Sequence, residues 1–255
     1  MLFRSGFEPL TQGFSVLCSN QLSYRNIYLN GEKNKIYSMT QSDSAKQLHK
    51  RVAQLGSTQV HSWMFPYVLG YRDRVPFFNV EETFIGMQKA LVFVQQIHAR
   101  KGHLLLVNTH PAFAPLVKKT ACLINQPYVN EYWIGGLLTN WQQLKYSVHA
   151  YKKFEMFVSS MLDDEKIVFP KYDKAQKRFA GVQNMQHMPD VLILFQATTT
   201  YKHILDEAKR LKIPVITCMD TYAPKVRVEY PIPANVHSKA FFHFFCRLLV
   251  KVCAN

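Results

Sequence analysis

Apolar residues follow two different spacings that alternate along most of the chain. Residues 104–108, 188–195 and 213–221 each contain a run of consecutive apolar side chains, which is typical of parallel strands covered on both faces. The segments between these runs carry apolar residues three and four positions apart, as amphipathic helices do. Alternating strands and helices predict an α/β fold, a doubly wound, flavodoxin-like parallel sheet flanked by helices.

The ends of the predicted helices are marked by particular residues. Asn79 is a suitable N-cap for a helix over residues 81–101, with Glu81 and Glu82 in its first turn and Gly102 after its end. Side chains that accept hydrogen bonds are favoured at the N-cap, and glycine is favoured just after the end of a helix. Apolar residues three and four positions apart predict further helices over residues 112–124, 138–158, 201–211 and 238–252. A short strand is predicted at residues 128–129.

The chain before the first long helix has less regular patterns. Residues 61–78 contain two short apolar runs on either side of the charged turn Arg72-Asp73-Arg74, which predicts a β-hairpin or an extended arm. Residues 44–55 have helical spacing and end at Gly56, whereas residues 1–44 lack sustained periodicity. We expect residues 1–44 to form a largely irregular N-terminal extension.

Residues 159–188 differ from their surroundings because charge rises there and apolar spacing fades. An acidic triplet at 163–165 is followed by several basic residues, and Pro170 interrupts the segment. We therefore predict one α/β domain, formed by residues 45–158 and 189–255, with residues 159–188 as a basic insertion.

The stretch 132–141 joins the short strand to a helix and reads Tyr-Trp-Ile-Gly-Gly-Leu-Leu-Thr-Asn-Trp. Its two glycines, Gly135 and Gly136, allow backbone angles closed to other residues and a close approach to a neighbour. The flanking tryptophans each bring a large ring and one N–H donor. The pattern predicts a buried strand-to-helix turn, in which a valine at either glycine would destabilise the fold.

Composition narrows the class of protein. The chain has 31 lysines and arginines against 17 acidic residues, a net charge of +14, which favours a polyanion as partner. No apolar run approaches the roughly 18 to 20 residues that a membrane-spanning helix needs, so nucleic acid is favoured over a membrane. The five cysteines include no CxxC pair and predict reduced, intracellular thiols rather than disulfides or a zinc site.

A small-molecule enzyme is the main rival hypothesis, because such enzymes bind ligands beyond the carboxyl ends of the strands. His110, Asp220 and Cys218 are the catalytic residues one would consider, but the chain has no glycine-rich phosphate loop and no nucleophile elbow. A helix cap at His110 and a self-bonded turn at Asp220 are simpler interpretations. We predict no catalytic residue, no cofactor and no metal. The polar residues at the strand ends are Asn108, Thr109, His110, Gln196, Asp220 and Thr221.

The basic residues are the candidate RNA contacts. A single lysine or arginine on a surface is usually only solvated, but phosphate binding draws on many of them together. Tyr71, Tyr151, Tyr172 and Phe179 lie among the candidates, and either stack on unpaired bases or pack within the protein. The candidates are Arg72 and Arg74 on the predicted hairpin, Lys152 and Lys153 on the helix after the glycine pair, and Lys171, Lys174, Lys177 and Arg178 in the insertion.

Several stretches of this sequence resemble, in the same order, sequence blocks of the ribosomal protein S2 family of the small ribosomal subunit. Residues 132–141 resemble Arg-Trp-Leu-Gly-Gly-Met-Leu-Thr-Asn, and residues 188–195 resemble Leu-Pro-Asp-Ala-Leu-Phe-Val. Residues 213–221 and 230–235 resemble the family's later blocks. The core of its first block is kept in Pro66, Tyr67, Gly70 and Arg72. The structural signature carried over from the family is Trp133, Gly135, Gly136, Thr139, Asn140, Pro189, Asp190, Asp220 and Thr221.

The resemblance implies a structural constituent of the small subunit that binds small-subunit rRNA and supports assembly and translation. It implies neighbouring small-subunit proteins as partners, possibly an S1-type mRNA-binding protein, and a helical hairpin in the place of residues 159–188. We expect no membrane association and no homo-oligomer. The N-terminal extension and the shortened insertion favour an organellar member, mitochondrial ahead of plastid and bacterial. A non-ribosomal RNA-binding factor is a further alternative.

Overall fold

The structure, a computed structural model, describes residues 53–161, 170–225 and 228–254. The extension predicted for residues 1–44 and most of the helix predicted over residues 44–55 lie outside the described residues. The strands are β1 (Val68–Arg72), β2 (Val75–Phe78), β3 (Leu104–Val107), β4 (Tyr128–Val129), β5 (Val191–Leu194), β6 (Val215–Met219) and β7 (Tyr230–Pro233). The α-helices are α1 (Val80–Ala99), α2 (Ala114–Ile124), α3 (Trp141–Met161), α4 (Pro170–Phe179), α5 (Lys202–Arg210) and α6 (Lys239–Cys253).

The main sheet contains five parallel strands in the order β4-β3-β5-β6-β7. The chain first passes outward from β3 to β4, then crosses to β5 and continues outward in the other direction through β6 and β7. The strand order therefore reverses between β3 and β5, as it does in flavodoxin-like folds. This order confirms the predicted fold class. Strands β1 and β2 form a separate antiparallel hairpin, also as predicted.

Helices cover both faces of this sheet, because neighbouring side chains of a strand point to opposite faces. Leu105 and Val107 of β3, with Leu192 and Leu194 of β5, belong to one core cluster that also contains residues of α3 and α5. Helices α1, α2 and α6 form another layer, in which α1 and α2 both contact α6. The sheet is thus buried on both sides, which explains its consecutive apolar runs.

Phenylalanines fix α6 to the sheet. The ring centroid of Phe242 lies 5.6 Å from that of Phe195 after β5 and 4.8 Å from that of Phe113 before α2. Burying one such side chain contributes roughly 1.5–3 kcal/mol. The helix begins after Ser238, whose hydroxyl accepts a hydrogen bond from the N–H of Phe241 at 3.2 Å. Helix α1 starts in the same way, since Asn79 Oδ1 accepts from Glu81 N–H at 3.0 Å, as predicted.

The segment predicted as a basic insertion contains α4 and residues that belong to the core. Pro170 is the first residue of α4, where its missing N–H does not weaken the helix. Farther on, the N–H of Tyr128 donates to the carbonyl of Gly181 at 3.0 Å, so this segment covers the sheet edge at β4. A Cβ at Gly181 would overlap that tyrosine's carbonyl group. Val182 and Met185 are buried in the same cluster as β3 and β5.

Candidate nucleic-acid interface

The hairpin turn presents two of the candidate arginines to solvent. Asp73 and Arg74 both have left-handed backbone angles, with φ of 50° and 64°, which is the pattern of a type I′ turn between two strands. Arg72 and Arg74 are exposed. The Nε of Arg72 lies 4.0 Å from the carboxylate of Asp73, with 82% of the arginine side chain exposed. An ion pair so open to water holds the side chain weakly.

Helices α3 and α4 pack through aromatic residues. The ring centroid of Tyr151 lies 6.0 Å from that of Tyr172 and 5.9 Å from that of Phe179. Tyr172 also contacts Phe154, with ring centroids 5.8 Å apart. Burial raises the pKa of Tyr151, and its hydroxyl donates to Glu155 Oε1 at 3.2 Å. Tyr151, Tyr172 and Phe179 are therefore packing residues, the second of the two roles considered for them.

Because the aromatic face of α4 is turned toward α3, its basic residues lie outside. Lys171, Lys174, Lys177 and Arg178 are all exposed. On α3, Lys153 is exposed, whereas Lys152 is half-buried and donates to Asn184 Oδ1 at 3.2 Å. The structure thus places six of the candidate cations on one pair of helices and the other two on the hairpin.

The stretch 132–141 is held by a carboxylate that the sequence analysis missed. Glu207 on α5 is only 8% exposed. Its Oε1 accepts hydrogen bonds from Trp133 Nε1 at 3.1 Å and from Gly136 N at 2.9 Å. Its Oε2 accepts one from Leu138 N at 3.1 Å. A buried carboxylate requires such partners, and hydrogen bonds to a charged group contribute roughly 1.5–3 kcal/mol each.

The two glycines of this turn are not equivalent. Gly136 has φ of 81°, which L side chains rarely adopt, and its carbonyl accepts the N–H of Asn140 at 2.7 Å. Gly135 has no atom within 4 Å of the place a Cβ would occupy. The sequence predicted that a valine at either glycine would meet a tight turn or a close neighbour. This is wrong for Gly135, because the space around it is open, and at Gly136 the constraint is the backbone angle. Thr139 is exposed, and Trp141 is buried with no hydrogen-bond partner for its Nε1 among the described residues.

Pro189 and Asp190 lie at the entry to β5. Pro189 is buried. Asp190 bonds to His103, just before β3, through both its backbone and its side chain. Its N–H donates to the His103 carbonyl at 2.8 Å, and its Oδ2 accepts the His103 N–H at 2.8 Å. This pair fixes the register of the two central strands where they begin.

Asp220 and Thr221 follow β6 and hold the segment that precedes the hairpin. Asp220, 6% exposed, accepts hydrogen bonds from the N–H and the hydroxyl of Ser57 and from the Thr221 N–H at 2.7 Å. Thr221 donates its hydroxyl to the Ser57 carbonyl at 2.9 Å, and its carbonyl accepts the His61 N–H at 3.0 Å. His237 is 3.9 Å from the same carboxylate. The self-bonded turn predicted here is present, and it also anchors residues 57–61, which precede the hairpin.

Polar residues after β3 are also bonded to the chain itself, although the buried Nδ2 of Asn108 has no hydrogen-bond partner among the described residues. His110 Nδ1 accepts the Ala112 N–H at 3.2 Å, as a cap before Pro111. Thr109 donates its hydroxyl to that of Tyr201 at 3.0 Å. Burial raises the pKa of the Cys218 thiol, which keeps it protonated and poorly nucleophilic.

Residues 53–161, 170–225 and 228–254 hold no group of three or more side chains suited to bind a metal ion. Within the same residues, no helix has the length and apolar character needed to span a membrane.

The fold and its sites define a class: a doubly wound α/β protein with self-bonded strand ends and outward-facing cations. The ribosomal protein S2 family model matches residues 53–255, and the chain belongs to this family. It is 35% identical to the small ribosomal subunit protein uS2m of Marchantia polymorpha over 72% of this chain and 80% of the relative. It is 34% identical to uS2 of Idiomarina loihiensis over 68% of this chain and 73% of the relative. The predicted family and the structural role in the small ribosomal subunit are thereby confirmed.

Proposed function

We propose that this chain is a non-catalytic scaffold protein of the mitochondrial small ribosomal subunit, held on small-subunit rRNA by its hairpin and by α3 and α4. Its RNA contacts are the eight predicted cations, Arg72, Arg74, Lys152, Lys153, Lys171, Lys174, Lys177 and Arg178. The observation that carries the proposal is that, among the described residues, Arg72 alone of the eight has a carboxylate within ion-pair distance, at 4.0 Å.

The mechanism is positional. Lysines and arginines that face solvent without carboxylate partners can neutralise phosphates, and release of the displaced counterions drives binding. Such contacts fix the register and orientation of the protein but do not read sequence. Specificity for double-stranded rRNA then comes from the shape of the A-form helix and from its 2′-hydroxyl groups.

The partners are rRNA and other small-subunit proteins, as membership of the family entails. We propose a mitochondrial location and a single copy of the chain per particle, without a membrane. The similarity to uS2m of Marchantia polymorpha supports the location. An S1-type mRNA-binding protein is a further proposed neighbour, and plastids are the second choice of compartment.

The proposal of a non-catalytic role rests on the strand ends. Asp220, Thr109 and His110, which an enzyme of this fold would turn toward a substrate, are each hydrogen-bonded to the chain itself. These bonds stabilise the connections between elements.

Sedimentation tests the ribosomal role, and fractionation tests the location. A tagged full-length chain should purify with mitochondria, and at moderate salt it should travel with small subunits in a sucrose gradient. A chain that stays at the top of the gradient would favour the enzyme or a free RNA-binding factor. Co-sedimentation with plastid or cytosolic subunits would overturn the location while leaving the ribosomal role intact.

A further inference from the structure

A groove of about 1000 Å³, lined by both apolar and polar side chains, lies between α3 and the segment 183–186. Its α3 wall includes side chains at helical spacing, among them Gln142, Lys145, His149 and Lys153. A second groove of about 460 Å³ adjoins it and shares four lining residues with it. This groove is separate from the apolar contact between α3 and α4, and its volume suits small-molecule or nucleotide-sized groups.

The positive charge of the lining favours an anionic ligand in the groove. Lys145, Lys152 and Lys153 line it, and the lining of both parts includes no aspartate or glutamate among the described residues. Glu155 is on the same helix but outside the lining, and its carboxylate accepts hydrogen bonds from Tyr151 and Gln183. Cations gathered in a concave surface raise the local concentration of anionic ligands.

Three amides and one exposed ring in the lining suit nucleobases. Amides of asparagine and glutamine both donate and accept hydrogen bonds, as the edges of unpaired bases require, and Gln142, Asn125 and Gln186 supply them here. Tyr146 lines the groove with 81% of its surface exposed. An aromatic ring beside cations is the usual platform on which an unpaired base stacks.

We propose that this groove binds unpaired nucleotides of an RNA strand, with Tyr146 stacking on a base and Lys145 and Lys153 contacting phosphates. The inference builds on the proposed rRNA-binding role and assigns a single-stranded ligand to this surface. A duplex keeps its base edges paired and is recognised through its backbone. Exposed cations such as those of α4 suit the backbone of a duplex. Duplex binding does not need a concave surface with amides and an exposed ring.

Binding of labelled RNA to the full-length protein tests the inference. The probes are a short fluorescent oligouridylate, a blunt-ended RNA duplex and an oligoglutamate peptide, each measured by fluorescence polarisation. Tyr146→Ala should weaken oligouridylate binding roughly five- to hundredfold, since that is the effect of losing one stacked base. Duplex binding should not change, and Tyr146→Phe should restore oligouridylate binding because it keeps the ring.

Tyr132→Ala is the matched control. Tyr132 is also exposed, at 59%, but does not line the groove, so its loss should leave oligouridylate binding unchanged. The inference is wrong if both alanine variants bind oligouridylate as the wild type does. It is also wrong if the oligoglutamate peptide binds the groove more tightly than the RNA. Either result would leave co-sedimentation with small subunits, and hence the proposed function, untouched.

Discussion

Two regions of this protein place their charged side chains in opposite surroundings. Glu207 on α5 and Asp220 after β6 are both buried, and each carboxylate accepts hydrogen bonds from donors of distant segments. Apart from the half-buried Lys152, the candidate cations of α3, α4 and the hairpin face water, and most have no acidic partner among the described residues. The first region uses charge to join parts of the chain, and the second leaves charge available to a partner.

The difference follows from the cost of desolvation. A carboxylate removed from water is stable only when hydrogen bonds replace its hydration, so its partners become essential to the fold. An exposed lysine keeps its hydration and contributes little to stability. Substitutions in the first region should therefore change folding, and substitutions in the second should change binding.

Removing the Glu207 carboxylate should have the largest effect on folding. Glu207→Ala leaves the N–H groups of Trp133, Gly136 and Leu138 without their acceptor. We expect a loss of about 3–5 kcal/mol in the free energy of unfolding, since each buried donor left without a partner costs roughly 1–3 kcal/mol. Denaturant unfolding followed by circular dichroism measures this loss.

Asp206→Ala provides the control for that substitution. Asp206 is the preceding residue on α5 and is exposed, so its replacement should alter stability by no more than about 0.5 kcal/mol. Equal effects of the two substitutions would show that the Glu207 hydrogen bonds do not support the fold.

Gly181→Ala should have the next largest effect. The added methyl group would overlap the carbonyl of Tyr128, and the backbone bond between these residues would have to move. Overpacking of this kind destabilises proteins by about 1–3 kcal/mol. Thermal melting of this variant beside Gly70→Ala, where a Cβ meets no atom within 4 Å, measures the difference. A melting temperature unchanged from the wild type would show that the sheet edge tolerates a looser cover.

The sequence predicted those features that depend on neighbouring residues. Consecutive apolar runs identified β3, β5 and β6 because both faces of the sheet are covered. Local side-chain acceptors identified the caps at Asn79 and His110, since their partners are two residues away. The cation positions on the hairpin and on α4 also followed from local pattern.

Features that depend on distant partners were missed. Glu207 lies in an ordinary amphipathic helix, and its donors are 69 to 74 residues away. Only its buried position in the helical pattern of α5 could have drawn attention to it. Gly181 was likewise hidden, because its requirement arises from a close approach to Tyr128, and the charged segment before it obscured the apolar spacing of Val182 and Met185.

The neighbouring glycines of the stretch 132–141 offer a smaller, sharper test of the first region. Gly136→Ala should cost about 1–2 kcal/mol, because a left-handed backbone is strained for a residue with a Cβ. Gly135→Ala should be nearly neutral, since the space around it is open. Differential scanning calorimetry of the two variants compares them directly. A greater loss of stability in Gly135→Ala than in Gly136→Ala would contradict the geometry described for this turn.

Charge reversal on the hairpin should have the smallest effect on folding and a clear effect on binding. Arg72→Glu with Arg74→Glu changes exposed side chains, so the melting temperature should stay close to that of the wild type. Affinity for small-subunit rRNA should fall. The slope of log affinity against log salt concentration should also flatten. With the value for B-form DNA, the change is about 0.9 for each phosphate of double-stranded RNA that the protein no longer neutralises.

His110→Ala is the control, since it changes an exposed strand-end residue and should leave affinity and salt dependence unchanged. Filter binding over a salt series measures both quantities. An unchanged slope in the arginine variant would remove the hairpin from the RNA-binding surface and confine that surface to α3 and α4.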